Sequence, residues 1–386
     1  MKIDVVGAGP GGLYFALLAK KRNPHFQITV YERNPLEATY GFGVALQSSS
    51  WEYLAADDKD CLKDIIAAST PIFGQQITHQ GQSIEFRSPL PNAGIARIAL
   101  LQVLRTHATA AGVAIHHEAA VADVARLSDA DLVVGADGIH SVVRQAHEAD
   151  FGTSTRTLSA RLAWYGTSHA FSTSRLTFRK TPFGYFWSVG YAHSAQQSTF
   201  VTECDEKAWH ASGLAHMDAD AQVRFCESVF ADELQGARIL SNNSAWKPLP
   251  VIRVQHWHVG RNVLLGDALH SPHPSIGSGT RLAMGDASAL AECVGEFATD
   301  IPAALAAYRT RREPTKMKLV LAMERSMQWY EQIGERLDHL SPIELVYDYM
   351  SRTGRMGLER MKMLAPDFYR TYGAQLEAIE AARASA

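Results

Sequence analysis

The 386-residue chain has little of what several large protein classes require. Its four cysteines, Cys61, Cys204, Cys226 and Cys293, contain no CxxC pair, which excludes a zinc ribbon or a dithiol redox centre. Their spacing asks for no disulfide, as suits a cytoplasmic protein, and no metal site is expected. No apolar run reaches the length of a membrane span, so no stable membrane association is expected. Met1 to Val6 run straight into a strand-like segment, leaving no room for a signal peptide. An excess of one charge is also lacking: 37 basic and 40 acidic residues give a net charge of −3, and no nucleic-acid partner is expected. Repeats, low-complexity tracts and long linkers are absent. What is present is ordinary globular material, 46% hydrophobic and 20% charged, enough for two closely packed domains.

Lys2 to Val6 reads as a short buried strand, Pro10 to Lys21 as a helix, and Gln27 to Tyr31 as a β-branched strand. This is the opening βαβ unit of a dinucleotide fold. A helix from Arg97 to Ala111, a strand from Val113 to His117 and a buried strand from Asp131 to Val134 follow. Between Ser154 and Glu203 the pattern turns to alternating, aromatic-rich strands, which predicts a mainly antiparallel sheet. Val263 to Leu265 restores the buried-strand pattern. Beyond Thr280 the chain reads as helices broken near Pro302, Pro342 and Pro366. The expected fold is therefore α/β: a discontinuous Rossmann-type nucleotide domain (residues 1–72, 95–153 and 250–300), an inserted substrate domain (73–94 and 154–249) and C-terminal helices (301–386).

Gly7-Ala8-Gly9-Pro10-Gly11-Gly12 fits GxGxxG between a strand and a helix. Gly7 allows the tight turn, Gly9 lets the backbone approach a pyrophosphate, and Gly12 lets helix and strand pack closely. The helix N-terminus offers free N–H groups and a positive dipole end to phosphates. Glu32 ends the second strand, where a carboxylate can accept the hydroxyl protons of an adenosine ribose. This motif alone does not separate FAD from NAD.

Two further motifs decide for FAD. Asp131 to Arg144 reads DLVVGADGIHSVVR, and Gly260 to Gly279 reads GRNVLLGDALHSPHPSIGSG. With GxGxxG, in this order, they resemble the paired signatures of the class A flavoprotein aromatic monooxygenases, the family around para-hydroxybenzoate hydroxylase, whose FAD domain is of the GR2 type. The resemblance implies that Asp267 bonds the ribityl chain and that Pro274, Gly277, Ser278, Gly279 and Thr280 lie along the flavin ring. It implies that Asp137 supports FAD and transient nicotinamide binding, Arg97 the FAD phosphates and Val121 the adenine. Arg33 either covers the adenine or is a solvated arginine. A helix beginning near Thr280 would stabilise negative charge on the reduced ring.

Further segments, Tyr40-Gly41-Phe42-Gly43-Val44, Gly94-Ile95-Ala96-Arg97, Ser275 to Ala283 and Met323 to Tyr330 among them, resemble the salicylyl-CoA 5-hydroxylase and 2-aminobenzoyl-CoA monooxygenase subgroup. The tryptophan-derivative hydroxylases of violacein biosynthesis share part of the pattern. Pro274 stands where a bulkier residue is expected in the CoA subgroup, and the second flavin domain fused to some of its members is not in this chain. The implied chemistry is reduction of FAD by NADH or NADPH, reaction with O2 to a flavin C4a-hydroperoxide, and oxygen transfer to a ring bearing OH or NH2. The partner is a small aromatic molecule, CoA-linked, a free acid or indole-derived, and the protein a monomer or homodimer. His270 and His273 are candidate proton carriers or plain loop histidines. Gln47 and Tyr185 are candidate substrate contacts or packing residues. Arg309, Arg311, Arg312, Lys316 and Lys318 either meet CoA phosphates or form a solvated face. The aromatics from Trp164 to Trp187 line a pocket or fill a core. A non-catalytic binding protein on this scaffold, as in the Rab GDP-dissociation inhibitors, would not need Asp137 and Asp267. A flavin halogenase would carry the WxWxIP motif, which is absent.

Overall fold

In the computed structural model, which describes residues 1–38, 41–242, 244–271 and 274–385, the fully buried side chains of Ile3, Val5, Val30, Val133 and Val134 mark the centre of a parallel sheet. Apolar runs of this kind form strands covered on both faces. The sheet has six strands in the order His258–Val259, Asn262–Leu264, Leu132–Gly135, Lys2–Val6, Gln27–Tyr31, Ala114–His116. All neighbours are parallel except the first pair, a hairpin. Val6 pairs with both Tyr31 and Gly135, and Gly135 pairs with Leu264. The strands thus end level, and their three following loops leave from one carboxyl edge. That edge is where open α/β sheets bind ligands.

Helix Pro10–Arg22 is buried along its whole first three turns, because helix Gly279–Glu296 covers the side turned from the sheet. Proline at its start suits the first turn, and Lys20, Lys21 and Arg22 complement the negative end of its dipole.

A second, nine-stranded sheet runs Ile239–Leu240, Thr153–Thr167, Ser198–Cys204, Gly184–Ala192, Ser174–Thr181, Thr70–His79, Gln82–Ala96, Gly43–Leu46, with Lys247–Val254 also on Thr153–Thr167. Only Thr70–His79 and Ser174–Thr181 pair in parallel, so the sheet is mainly antiparallel, as expected. Gly43–Leu46 and Lys247–Val254 are strands of this sheet. Residues 43–46 and 250–254, expected in the nucleotide domain, thus pair with the second sheet.

Alternation sends the side chains of the second sheet two ways. Tyr165, Phe186, Phe200 and Phe230 form one core. On the other face, Trp187, Phe178 and Leu176 pack against Trp329, Tyr330, Leu345 and Tyr349 of the C-terminal helices. The aromatic strands are therefore mostly core, while Phe183 is 38% exposed at a hairpin tip. Pro302, Pro342 and Pro366 sit in the first turns of helices Ile301–Glu331, Pro342–Ser351 and Pro366–Ser385. Pro314 lies inside the 31-residue helix, where it removes one backbone hydrogen bond without ending the helix. Near the C-terminus Met361 is fully buried, Met350 and Met356 pack partly buried against the same core, and Met363 is 68% exposed. All four cysteines are free and buried. Among the described residues no helix is long and apolar enough to cross a membrane.

Candidate active site

The three glycine-bearing turns meet at the carboxyl edge of the parallel sheet. Gly7 has φ +104°, and a Cβ there would lie 2.5 Å from the Ala136 carbonyl oxygen. A Cβ on Gly12 would lie 2.1 Å from the Gly7 oxygen, so helix and strand approach as closely as backbones can. Gly9 differs: its backbone is extended, and a Cβ would meet nothing nearer than 4.0 Å. Gly9 caps helix Pro10–Arg22 with no side-chain bond, and Ser278 caps helix Gly279–Glu296 in the same way. Two helix N-termini thus keep N–H groups without side-chain caps, which is the arrangement that accepts anions.

Glu32 closes the first turn. Its Oε2 accepts from the Ala8 N–H at 2.9 Å, and Oε1 accepts from the Asn34 backbone at 2.9 Å. Arg33 beside it is exposed. The stretch from His116 to Val121 runs alongside, tied to Glu32 by two backbone bonds of 2.8 Å, and leaves Val121 half-buried.

Arg144 locks the second turn to the third. It donates to Ala268 O at 2.7 Å and Ile139 O at 2.5 Å. Asp137 accepts from Val142 N–H at 2.6 Å through Oδ2, while Oδ1 is buried without a partner. Burial raises its pKa against the pull of Ser141 and the Val142 bond.

Arg97 opens helix Arg97–Ala110 and faces both Asp267 and Glu32. Burial lowers the guanidinium pKa, opposed by those two carboxylates. The guanidinium makes no hydrogen bond or salt bridge to a described residue, while the Arg97 backbone N–H donates to Phe42 O at 2.8 Å. Burial likewise raises the Asp267 carboxyl, opposed by His270 and Arg97, and Asp267 also has no hydrogen-bonded partner among the described residues. A half-buried cation and a half-buried carboxylate left open in this way suit a phosphate and a polyol.

The third turn is carried by a fully buried carboxylate. Asp286 accepts from Arg312 Nε at 2.7 Å, His270 Nε2 at 2.8 Å and the Gly266 N–H at 3.1 Å. Burial opposes its charge, but His270 and Arg312 overcome this and hold its pKa well below the usual range. His270 is thus hydrogen-bonded to a buried carboxylate, and His273 lies outside the described residues. Sequence reasoning missed Asp286, although a carboxylate between Leu282 and Leu290 on the buried stripe of one helix was a signal.

The loop of Pro274, Ser275 and Ile276 is held from two sides. Gln47 donates to Ile276 O at 3.1 Å and accepts from Arg281 at 3.0 Å. From the C-terminal helices, Arg352 donates to Ser275 O at 2.7 Å and Ser326 Oγ bonds Ser275 Oγ at 2.8 Å. Gly277, at φ +57°, ends the turn, and its N–H donates to Pro274 O at 2.8 Å. Ser278 is buried and donates to Ile276 O, and Gly279 and Thr280 start the next helix. Ser326 lies in the Met323 to Tyr330 segment that resembles the CoA subgroup, whereas no sequence signal pointed to Arg352.

Tyr185 is elsewhere. Its hydroxyl donates to Asp338 at 2.8 Å, and Lys180 lies over its ring. Tyr191, six residues along the strand and about 20 Å away at ~3.3 Å per residue, donates to Gly43 O. Of the two readings for Tyr185, substrate contact or packing residue, its bond to Asp338 and the Lys180 contact favour packing at the sheet's outer end. The basic stretch is also mostly engaged. Arg309 pairs with Glu313, Arg311 with Glu292 and Glu296, and Arg312 with Asp286. Lys316 is buried over Trp257, with its pKa lowered to about 8 by burial. Lys318 alone of the five stays exposed without a salt bridge among the described residues.

The chain matches the FAD binding domain family over residues 1–322. It is 33% identical over 373 residues to a salicyloyl-CoA 5-hydroxylase from a Streptomyces species, covering 92% of this chain and 70% of that one. It is 34% identical over 356 residues to a 3-hydroxy-4-methyl-anthranilyl-(aryl-carrier protein) 5-monooxygenase of Streptosporangium sibiricum, covering 92% and 94%. With protodeoxyviolaceinate monooxygenase of Chromobacterium violaceum it shares 31% over 364 residues, covering 91% and 94%. Among solved structures, tetrameric 2-methyl-3-hydroxypyridine-5-carboxylic acid oxygenase superposes with a TM-score of 0.70 at 19% identity, covering 92% and 98%. Pseudomonas aeruginosa PqsL in complex with 2-aminobenzoylacetate does so with 0.68 at 20%, covering 86% and 97%. These two establish likeness of fold.

Proposed function

The chain belongs to the FAD binding domain family and is a flavoprotein aromatic hydroxylase; from that premise we propose that its substrate is an aryl-CoA thioester of the salicylyl-CoA or anthraniloyl-CoA type. The observation that carries this reading is the 33% identity to a salicyloyl-CoA hydroxylase across 92% of the chain. It is supported by a second relative named for an anthranilyl group on an aryl-carrier protein.

When bound, FAD supplies reduction by NAD(P)H, activation of O2 and delivery of one oxygen atom to an electron-rich ring. In this reading the chain's residues do the rest. Gly7, Gly9 and Gly12 and the first helix N-terminus hold the pyrophosphate with Arg97. Glu32 takes the ribose, Val121 and Arg33 meet the adenine, and Asp267 holds the ribityl chain. Asp137, with one oxygen left open, supports the cofactor from the second turn. Pro274 to Thr280 lie along the ring, and the second helix N-terminus steadies negative charge on its reduced form. Gln47, Ser326 and Arg352 fix that loop, and the C-terminal helices keep water from the ring. The protein acts in the cytoplasm as a monomer or homodimer.

The identity to protodeoxyviolaceinate monooxygenase favours one alternative, an indole-derived substrate. The test is NADH and NADPH consumption by the FAD-loaded enzyme with salicylyl-CoA, 2-aminobenzoyl-CoA, their free acids and protodeoxyviolaceinate, with hydrogen peroxide measured alongside. The aryl-CoA reading predicts stimulated, coupled turnover with a thioester and an oxygenated product. Stimulation confined to free acids or the indole compound, or oxidation ending only in peroxide, overturns it.

A further inference from the structure

Glu203 is 3% exposed, one residue before the end of strand Ser198–Cys204, and among the described residues no salt bridge neutralises it. It projects from the face that carries Thr199 and Val201, toward the C-terminal helices. Its cross-strand neighbour is Trp187, fully buried, whose indole N–H is turned toward the carboxyl yet has no partner in hydrogen-bond geometry. Tyr330 closes the group, its ring 5.9 Å from that of Trp187 and at 31° to it. Burial pushes the Glu203 carboxyl up to about 7, against the pull of Trp187. The other titratable or charged groups facing this cluster are Tyr349 and Arg352, both acting on Tyr330.

This cluster is close to the loop assigned to the flavin. Ser326, bonded to Ser275, and Tyr330 are four residues apart on one helix and so share a face, about 5–6 Å apart. An aromatic ring between the loop and Glu203 would lie over Trp187 and Tyr330. A buried indole N–H with no partner in hydrogen-bond geometry, beside a buried carboxyl, costs stability, and a ligand group bridging the two would relieve it. A ring hydroxyl or amino group does so, since it donates to a carboxylate and accepts from an N–H.

We propose that Glu203 and Trp187 form the subsite that binds the ring hydroxyl or amino group of the substrate and thereby sets which carbon faces the flavin. The inference rests on the aromatic-hydroxylase reading but not on the CoA thioester.

The experiment compares the FAD-loaded wild type with Glu203→Leu, using phenol, aniline and toluene as probes in titrations of flavin absorbance and tryptophan fluorescence. A second variant, Trp187→Phe, removes only the N–H. The wild type is expected to bind phenol and aniline about tenfold or more tightly than toluene, as a hydrogen bond to a charged group implies. Glu203→Leu is expected to lose that preference while keeping FAD and melting at the same or a higher temperature, since a buried carboxyl with no salt bridge among the described residues has been removed. Trp187→Phe is expected to weaken phenol and leave toluene unchanged. Preference retained in Glu203→Leu, no preference in the wild type, or a Glu203→Leu protein that no longer folds would each overturn the subsite. Because these probes carry no CoA, failure of aryl-CoA turnover beside an intact phenol preference removes only the thioester reading.

Discussion

Alanine at Gly9 separates a ligand's needs from the fold's. The Gly9 backbone is extended at φ −70°, and a Cβ would meet nothing nearer than the Ala136 oxygen at 4.0 Å. Alanine therefore fits the protein itself. It also reduces unfolded-chain entropy by about 0.4–1 kcal/mol, offset by a slightly poorer helix cap. Melting of the flavin-free protein should stay within about 2 °C of wild type. If Gly9 lies against the FAD pyrophosphate, however, the added methyl occupies the phosphate's space. An overpacking cost of about 1–3 kcal/mol corresponds to a Kd raised about 5- to 150-fold. At Gly12 a Cβ would lie 2.1 Å from a backbone oxygen, so alanine there should lower both flavin-free stability and FAD binding. Apoprotein is prepared, melting is followed by circular dichroism, and FAD is titrated by quenching of its fluorescence. Unchanged FAD affinity in Gly9→Ala, or a loss of flavin-free stability as large as that of Gly12→Ala, would refute the reasoning.

Other consequences concern the charges around the three turns. Arg97→Met should weaken FAD by about 10- to 150-fold, the value of a charge-assisted bond of about 1.5–3 kcal/mol, and titration of the apoprotein checks it. Arg312→Met should cost about 3–5 kcal/mol in urea unfolding, because it strips the buried Asp286 carboxylate of its guanidinium partner; a loss under about 1 kcal/mol contradicts the network. The folded pKa of Asp286 is depressed, so its contribution is fully present above the unfolded value of about 3.9 and is lost as pH falls through the folded one. The stability gap between wild type and Asp286→Asn should thus be constant from pH 7 to about 5 and close below about 4. Arg352→Met should retain FAD but release a larger fraction of consumed NAD(P)H as peroxide, since Ser275 loses one of its two anchors to the C-terminal helices and keeps only Ser326.

The parts of this architecture that were legible beforehand are local. A glycine turn between a β-branched strand and a helix is dictated by residues adjacent in the chain, so strand Gln27–Tyr31 and the turn starts at Gly7, Ala136 and Gly266 could be placed from sequence. The antiparallel nature of the second sheet was legible from alternation. What alternation cannot say is which end of a strand meets the ligand. Tyr185 and Tyr191 share a face of one strand, yet only Tyr191 reaches Gly43. The anchoring of the Pro274–Ile276 turn depends on Gln47, Ser326 and Arg352, up to 229 residues from their partners, and no spacing rule predicts such contacts. The basic stretch at 309–318 misleads for a related reason: sequence shows charge, whereas partners such as Asp286 come from another helix.

The account rests on three separate turns gripping one FAD. Its most direct test is the flavin content of the purified protein after incubation with FAD and removal of the excess. One FAD per chain, with visible flavin bands that shift when an aromatic substrate is added, is the predicted result. A colourless protein that takes up no FAD would contradict it.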